Sequence, residues 1–136
     1  MKRRLMNLAL VSAGSVGLIL PLANVAHAGA NGACIFPEVC LYYNSNLENA
    51  YFPQAKPIPN YAGYNFMVSD RGPLGAGQPV KNNAASIYNS TRHRFFIFYN
   101  SNYSCAVACQ TIQPLSGTNL NSTMKNQNAS GYEDGS

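Results

Sequence analysis

The sequence has no tryptophan, few charged residues and, beyond its N-terminus, no long hydrophobic run. Charged residues make up 10% of the chain, and His93 is the only histidine after position 28. A nucleophilic triad needs a base beside an activated serine or cysteine, and a zinc site needs three or four ligands. The acidic residues are scattered and show no paired-carboxylate arrangement. The sequence therefore predicts a protein that is not an enzyme.

The N-terminus is the one strongly apolar part of the chain. Lys2, Arg3 and Arg4 precede an apolar stretch from Leu5 to Leu22, and the sequence Ala26-His27-Ala28 follows. A basic start, an apolar middle and a small-x-small end are typical of a cleaved secretory signal peptide. The alternative, a membrane anchor, is disfavoured by the polar residues and the proline within the stretch. We expect bacterial export, with residues 1–28 removed and 29–136 forming a single secreted domain.

Cleavage would change the charge of the protein. Three of the nine Lys and Arg residues lie in the signal segment, so six remain against five acidic residues. The net charge of the mature chain is then about +1, too small for a basic surface that binds nucleic acid or an anionic membrane. We expect neither partner after signal cleavage.

The four cysteines predict two disulfide bonds in an exported protein. Four cysteines allow three connectivities. Local pairing, Cys34 with Cys40 and Cys105 with Cys109, is preferred because short loops close most readily. Each such bridge would stabilise the fold by about 2 kcal/mol, against about 4.5 kcal/mol for a bridge that joins distant segments.

The distribution of aromatic residues predicts an all-β fold. Aromatic and β-branched residues form short runs that are broken by Asn, Gly and Pro at intervals typical of a β-sandwich. Residues 64–68 are expected to form a strand and residues 114–118 a turn.

Two segments of the chain occur twice. Tyr43-Asn44-Ser45-Asn46 returns as Tyr99-Asn100-Ser101-Asn102, each time after an aromatic and aliphatic run. A second segment, Val80-Lys81-Asn82-Asn83-Ala84-Ala85-Ser86-Ile87-Tyr88, returns in related form as Met124-Lys125-Asn126-Gln127-Asn128-Ala129-Ser130-Gly131-Tyr132. A duplicated strand-rich unit indicates two linked motifs with one shared core, since neither buries its apolar face alone.

These repeats resemble a known family of secreted bacterial proteins. The opening from Cys34 to Tyr42, the Tyr-Asn-Ser-Asn segments and Lys81-Asn82-Asn83-Ala84-Ala85-Ser86 are similar to βγ-crystallin-like proteins, and more narrowly to peptidase inhibitor family I36. The resemblance covers residues 34–132. It implies a βγ-crystallin-like sandwich of two Greek keys, at about 34–90 and 91–132, and for some members inhibition of thermolysin-like metalloproteases.

The resemblance also implies where an inhibitor would contact its protease. In the type inhibitor that segment lies at the second short disulfide loop. The matching residues here are Cys105, Ala106, Val107, Ala108 and Cys109. A bridged loop loses little entropy on docking, and small apolar side chains fit an apolar specificity pocket. We therefore expect an extracellular protease as partner and a monomeric inhibitor.

Calcium is the one metal for which the sequence contains candidate ligands, and no other cofactor is expected. Calcium-binding βγ-crystallins use a pair of Asn or Asp, two spacers and a Ser or Thr followed by Ser, and here Ile87 replaces the final serine. The candidate ligands are Asn82, Asn83, Ser86, Asn126 and Ser130. The alternative is that these side chains satisfy backbone groups at a Greek-key corner. A structural or cell-surface module with weak calcium binding is therefore the second functional hypothesis.

Overall fold

A computed structural model of the chain describes residues 30–135, so the predicted signal peptide lies outside the described residues. The described part contains no helix that is long and apolar enough to cross a membrane. Its seven strands are β1 (Val39–Asn44), β2 (Glu48–Gln54), β3 (Ser86–Asn89), β4 (Phe95–Phe98), β5 (Cys109–Ile112), β6 (Ser116–Asn119) and β7 (Ser130–Glu133).

The strands form two antiparallel sheets that face each other. The first sheet has the order β2-β1-β3-β6 and the second the order β5-β4-β7. Strand β6 belongs to the second half of the chain but pairs with β3 of the first half, with Ser86 opposite Asn119. In return, Ile58 of the first half forms a bridge with Gly131 in β7. The two halves therefore exchange strands.

The core lies between the sheets and draws on both halves. Leu41 and Ile87 of the first sheet meet Phe95 and Ile97 of the second, and all four side chains are almost fully buried. Each apolar side chain of this size stabilises the fold by about 1.5–3 kcal/mol when it is fully buried. Side chains alternate between the two faces of a strand, so the neighbouring residues Phe96 and Phe98 lie on the outer face of the second sheet. There they stack on Tyr132.

One of the predicted local structures was wrong, and a second was right only for Pro114 and Leu115. Residues 64–68 form only isolated bridges, such as Met67 with Tyr51, because they belong to a long loop that lies along the edge strand β2. Residues 114–118 were expected to form a turn, but the strand β6 begins at Ser116. The sequence Ser-Gly-Thr-Asn has low strand propensity, and its conformation is set by pairing with β3.

Candidate functional site

The two Tyr-Asn-Ser-Asn segments form the same tight turn in both halves. In the first turn Asn46 and Leu47 have φ angles of 64° and 59°, and in the second turn Asn102 and Tyr103 have φ angles of 59° and 60°. Asparagine adopts this left-handed conformation more readily than most residues. The repeat seen in the sequence is therefore a repeat of backbone conformation.

Two of the calcium candidates, Ser86 and Ser130, close these turns. The Ser86 hydroxyl donates to the Asn44 carbonyl oxygen at 2.6 Å and accepts from the Leu47 amide at 2.9 Å. The Ser130 hydroxyl donates to the Asn100 carbonyl oxygen at 2.7 Å and accepts from an amide of the second turn at 3.1 Å. Both hydroxyls thus satisfy backbone groups, which is the role that the alternative interpretation gave them.

The loops that carry the asparagine candidates pair with each other across the molecule. The Asn82 amide donates to the Asn128 carbonyl oxygen at 2.8 Å, and the Asn126 amide donates to the Ala84 carbonyl oxygen at 2.8 Å. Asn82 and Asn126 both have positive φ angles. The third asparagine, Asn83, donates from Nδ2 to a backbone carbonyl in its own loop.

Sequence analysis missed the importance of Asn128. Its side chain is fully buried, accepts from the Ala84 amide at 2.9 Å and donates to the Val80 carbonyl oxygen at 2.9 Å. It therefore ties the loop of the second half to the loop of the first. The sequence did contain a sign of this role. When the two copies of the segment are aligned, Asn128 lies opposite Ala84, and this is the one position where a polar residue replaces an apolar one.

Two lysines link each loop to the turn of the other half. Lys125 Nζ donates to Ser45 Oγ at 2.7 Å, and Lys81 Nζ donates to Ser101 Oγ at 3.3 Å. Lys81 Nζ also donates to Asn60 Oδ1 at 3.0 Å. An ammonium group beside the turn repels a calcium ion at the same place. Calcium binding by these loops stays a prediction, and the position of the lysines disfavours it.

A polar groove opens between the first turn and the loop of the second half. Its volume is about 540 Å³, and its lining includes Tyr43, Asn44, Glu48, Asn83, Lys125 and Asn126. Calcium takes about six to eight oxygen ligands, usually including carboxylates, and Glu48 is the single acidic residue among the groove-lining side chains.

The candidate inhibitory loop is short, braced and exposed. The disulfide between Cys105 and Cys109 holds their Cα atoms 5.2 Å apart. At the tip, Val107 is 60% exposed. The Ala106 amide donates to a serine hydroxyl just before the loop, and the Ala108 carbonyl oxygen accepts from the Tyr99 amide at 3.0 Å. The loop leads directly into β5, an edge strand of the second sheet.

Ala108, one of the predicted contact residues, differs from Val107 in its exposure. It is half-buried and packs against the hydrophobic core. Its side chain anchors the base of the loop, so the surface available to a partner consists of Cys105, Ala106 and Val107.

The other disulfide, Cys34 to Cys40, closes a second loop on the outer face of the first sheet. Its Cα atoms are 6.0 Å apart, and Phe36 in the loop is 63% exposed. This loop has no counterpart at the same position of the second half. Two disulfides are typical of a protein from an oxidising, extracellular environment.

His93 and two buried tyrosines lie apart from these features. His93 is exposed in the connection between β3 and β4, and its carbonyl oxygen accepts from Asn89 Nδ2 at 2.7 Å. Tyr42 and Tyr51 are buried on the outer face of the first sheet. Burial raises the pKa of Tyr42 to about 12.

Comparisons with known proteins identify the fold. No family model matches the sequence, and no curated protein sequence matches it, so membership of inhibitor family I36 stays a prediction. The structure is similar to a βγ-crystallin domain from work on the evolution of the eye-lens fold, with a TM-score of 0.59 and 14% identity over 78% of this chain and 93% of that chain. It is also similar to the βγ-crystallin from Ciona intestinalis, with a TM-score of 0.51 and 10% identity over 71% of this chain and 99% of that chain. These structures confirm the predicted fold class: the chain is an all-β sandwich of two Greek-key motifs with the fold of the βγ-crystallin domains.

Proposed function

We propose that the protein is a secreted, non-enzymatic inhibitor of an extracellular protease, in the first instance a thermolysin-like metalloprotease. The observation that supports this proposal is the exposed Val107 on a loop closed by the Cys105–Cys109 disulfide. The loop presents an apolar side chain outward from a short bridged ring.

The construction of the loop matches what an inhibitor requires. A substrate-like segment inhibits when it enters the active site but is held too rigidly to leave after cleavage. Here the base of the loop is fixed three times: by the disulfide, by the packing of Ala108 against the core and by the hydrogen bond from the Tyr99 amide. The entropy cost of ordering the loop is met on folding, so less is lost on docking.

The direct test is a titration of the mature protein against a thermolysin-like protease, with residual activity followed on a small peptide substrate. We expect loss of activity at an inhibitor-to-enzyme ratio near one. Full protease activity at a large excess of uncut protein would contradict the assignment to this protease class.

A matched pair of variants tests the role of the loop. Val107→Asp places a charge in the contact and removes an apolar side chain that the protease would bury, so the inhibition constant should rise at least about 100-fold. Val68→Asp is the control, because Val68 is 58% exposed and lies far from the loop in sequence. If both variants inhibit equally well, the Cys105–Cys109 loop is not the contact.

The second candidate is a structural or cell-surface module with the βγ-crystallin fold that binds calcium weakly, and it rests on the asparagine and serine residues of the paired loops. This candidate predicts that calcium raises the melting temperature and that the gain is lost in Asn83→Ala. If the melting temperature is the same with calcium and with a chelator, this candidate is excluded.

A further inference from the structure

The polar groove beside the first turn has a counterpart position in the second half, and the two differ in one respect. In the second half the chain itself lies over the turn. The Asn102 amide donates to the Pro59 carbonyl oxygen at 2.7 Å, and Lys81 donates to Asn60 Oδ1 at 3.0 Å. The first turn is also covered at its amide, since the Asn46 amide donates to Asn119 Oδ1 at 2.6 Å. Among residues 30–135, however, Lys125 has no acceptor that corresponds to Asn60, and the groove of about 540 Å³ is open beside it.

The covered half shows what kind of atom the open half can accept. Lys81 uses two donors, one on Ser101 and one on the neutral amide oxygen of Asn60. Lys125 uses one donor on Ser45 in the equivalent position. An ammonium group has three donors. Lys125 can therefore donate to a neutral oxygen of a ligand, as Lys81 does to Asn60.

The rest of the groove is rich in hydrogen-bond acceptors. The exposed Glu48 carboxylate makes no hydrogen bond or ion pair with the residues described. Asn44 Oδ1 is buried and has no hydrogen-bond partner within residues 30–135. Asn83 donates through Nδ2 to its own loop, which leaves its Oδ1 as an acceptor. Such a lining suits a ligand with many O–H donors, whereas a peptide offers one N–H for each residue.

One wall of the groove is an aromatic ring held in place from behind. The Tyr43 ring packs edge-on against Phe66, with 5.7 Å between the ring centroids. The backbone of Gly75 lies against it, since a Cβ at Gly75 would be 2.2 Å from Tyr43 Cγ. A fixed ring beside convergent polar groups is a common arrangement in small-molecule sites. One carboxylate and one ammonium in the groove leave no excess charge, which favours a neutral ligand.

We propose that this groove binds a neutral oligosaccharide. Sugar hydroxyls donate to Glu48 and Asn83, an oxygen of the sugar accepts from Lys125, and the apolar face of a sugar ring packs on Tyr43. This site is separate from the Cys105–Cys109 loop and does not depend on protease inhibition.

The test is a titration of the ¹⁵N-labelled mature protein, followed by amide chemical shifts. The probes are tri-N-acetylchitotriose, cellotriose and maltotriose, each in the presence of a chelator. We expect at least one of them to shift the amides of residues 43–49 and 125–126 with a millimolar dissociation constant. The exposed-residue variants Glu48→Gln and Lys125→Met should each weaken that binding at least about 10-fold.

Lys81→Met is the matched control, because Lys81 occupies the equivalent position in the covered half. It should leave saccharide binding unchanged, and the spectrum of each variant should show that the fold is intact. The proposal is overturned if no probe shifts the groove amides at about 10 mM, a concentration well above the expected constant. It is also overturned if Lys81→Met weakens binding as much as Lys125→Met, or if calcium alone shifts these amides.

Discussion

At the scale of single residues, the conspicuous side chains of this protein satisfy backbone groups. Ser86 and Ser130 each accept one hydrogen bond from a turn amide and donate one to a turn carbonyl. Asn128 does the same for the facing loop. Buried backbone groups left without a partner are costly. A chain with so many short turns therefore needs polar side chains at fixed positions, which accounts for its richness in asparagine and serine.

The first residue-scale prediction concerns these hydroxyls. Ser86→Ala and Ser130→Ala should each lower the free energy of unfolding by about 1–3 kcal/mol, since each change leaves two half-buried turn groups unpaired. Ser122→Ala is the control, because Ser122 is exposed in the loop before β7. Urea denaturation measures the difference. Equal stability of Ser86→Ala and Ser122→Ala would show that the turn does not depend on the hydroxyl.

The second residue-scale prediction concerns pH. Burial is the largest cause that raises the pKa of Tyr42, from 10.0 to about 12, with a smaller contribution from Asp70. A raised folded-state pKa means that the unfolded chain releases the proton first. Stability should therefore be complete below pH 10 and fall as the pH rises from 10 towards 12. Tyr42→Phe should reduce this fall, which denaturant melts at several pH values would detect. If Tyr42→Phe loses the same stability at alkaline pH as the unchanged protein, groups other than Tyr42 cause the loss.

At the scale of elements, sequence patterns identified the strands that carry their own apolar residues. The run from Phe95 to Phe98 and the run after Cys40 are strands as expected, because their side chains alternate between the core and the outer face. Strand β6 was missed because its four residues are polar or small and its pairing partner β3 is distant in the sequence. Local patterns hold no information about such a partner. The packing of Ala108 against the core was missed for the same reason.

The element-scale prediction separates stability from activity at the Cys105–Cys109 loop. Replacing both cysteines with serine removes a constraint on a short loop, so the free energy of unfolding should fall by only about 2 kcal/mol. Inhibition of the target protease should fall far more, because a flexible loop pays its ordering cost on docking. Circular dichroism and the protease titration measure the two effects. The double serine variant at Cys34 and Cys40 is the control, and it should retain inhibition.

At the scale of the whole molecule, the repeat predicted two linked motifs with one core, and the structure shows how the motifs are joined. Each half contributes to the sheet of the other, through β6 in one direction and Ile58 in the other. The loops also pair through Asn128. The sequence predicted the shared core because neither half can bury its apolar face alone. The pairing of β6 with β3 could not be predicted, because it is defined only in the assembled fold.

The prediction at this scale is that the protein unfolds as one unit. Fragments 30–90 and 91–135 should each be unfolded alone, since each lacks a partner strand and half of the core. An equimolar mixture should regain the sheet signal in circular dichroism. The intact chain should show one transition by fluorescence and by circular dichroism. A folded isolated fragment would show that the core is divided between two independent units.

The connection between β3 and β4 has a consequence for the number of chains in the assembly. The Asn89 side chain is fully buried and donates from Nδ2 to the carbonyl oxygens of His93 and Gln113, and its Oδ1 accepts from the Thr91 amide. These bonds fold the connection back on itself and bring the two halves of one chain together. Without them the connection can open, and the same strand exchange is then satisfied between two copies of the protein. We therefore expect the closed connection to oppose domain swapping, and Asn89→Ala should raise the fraction of intertwined dimer at high concentration, as measured by size-exclusion chromatography.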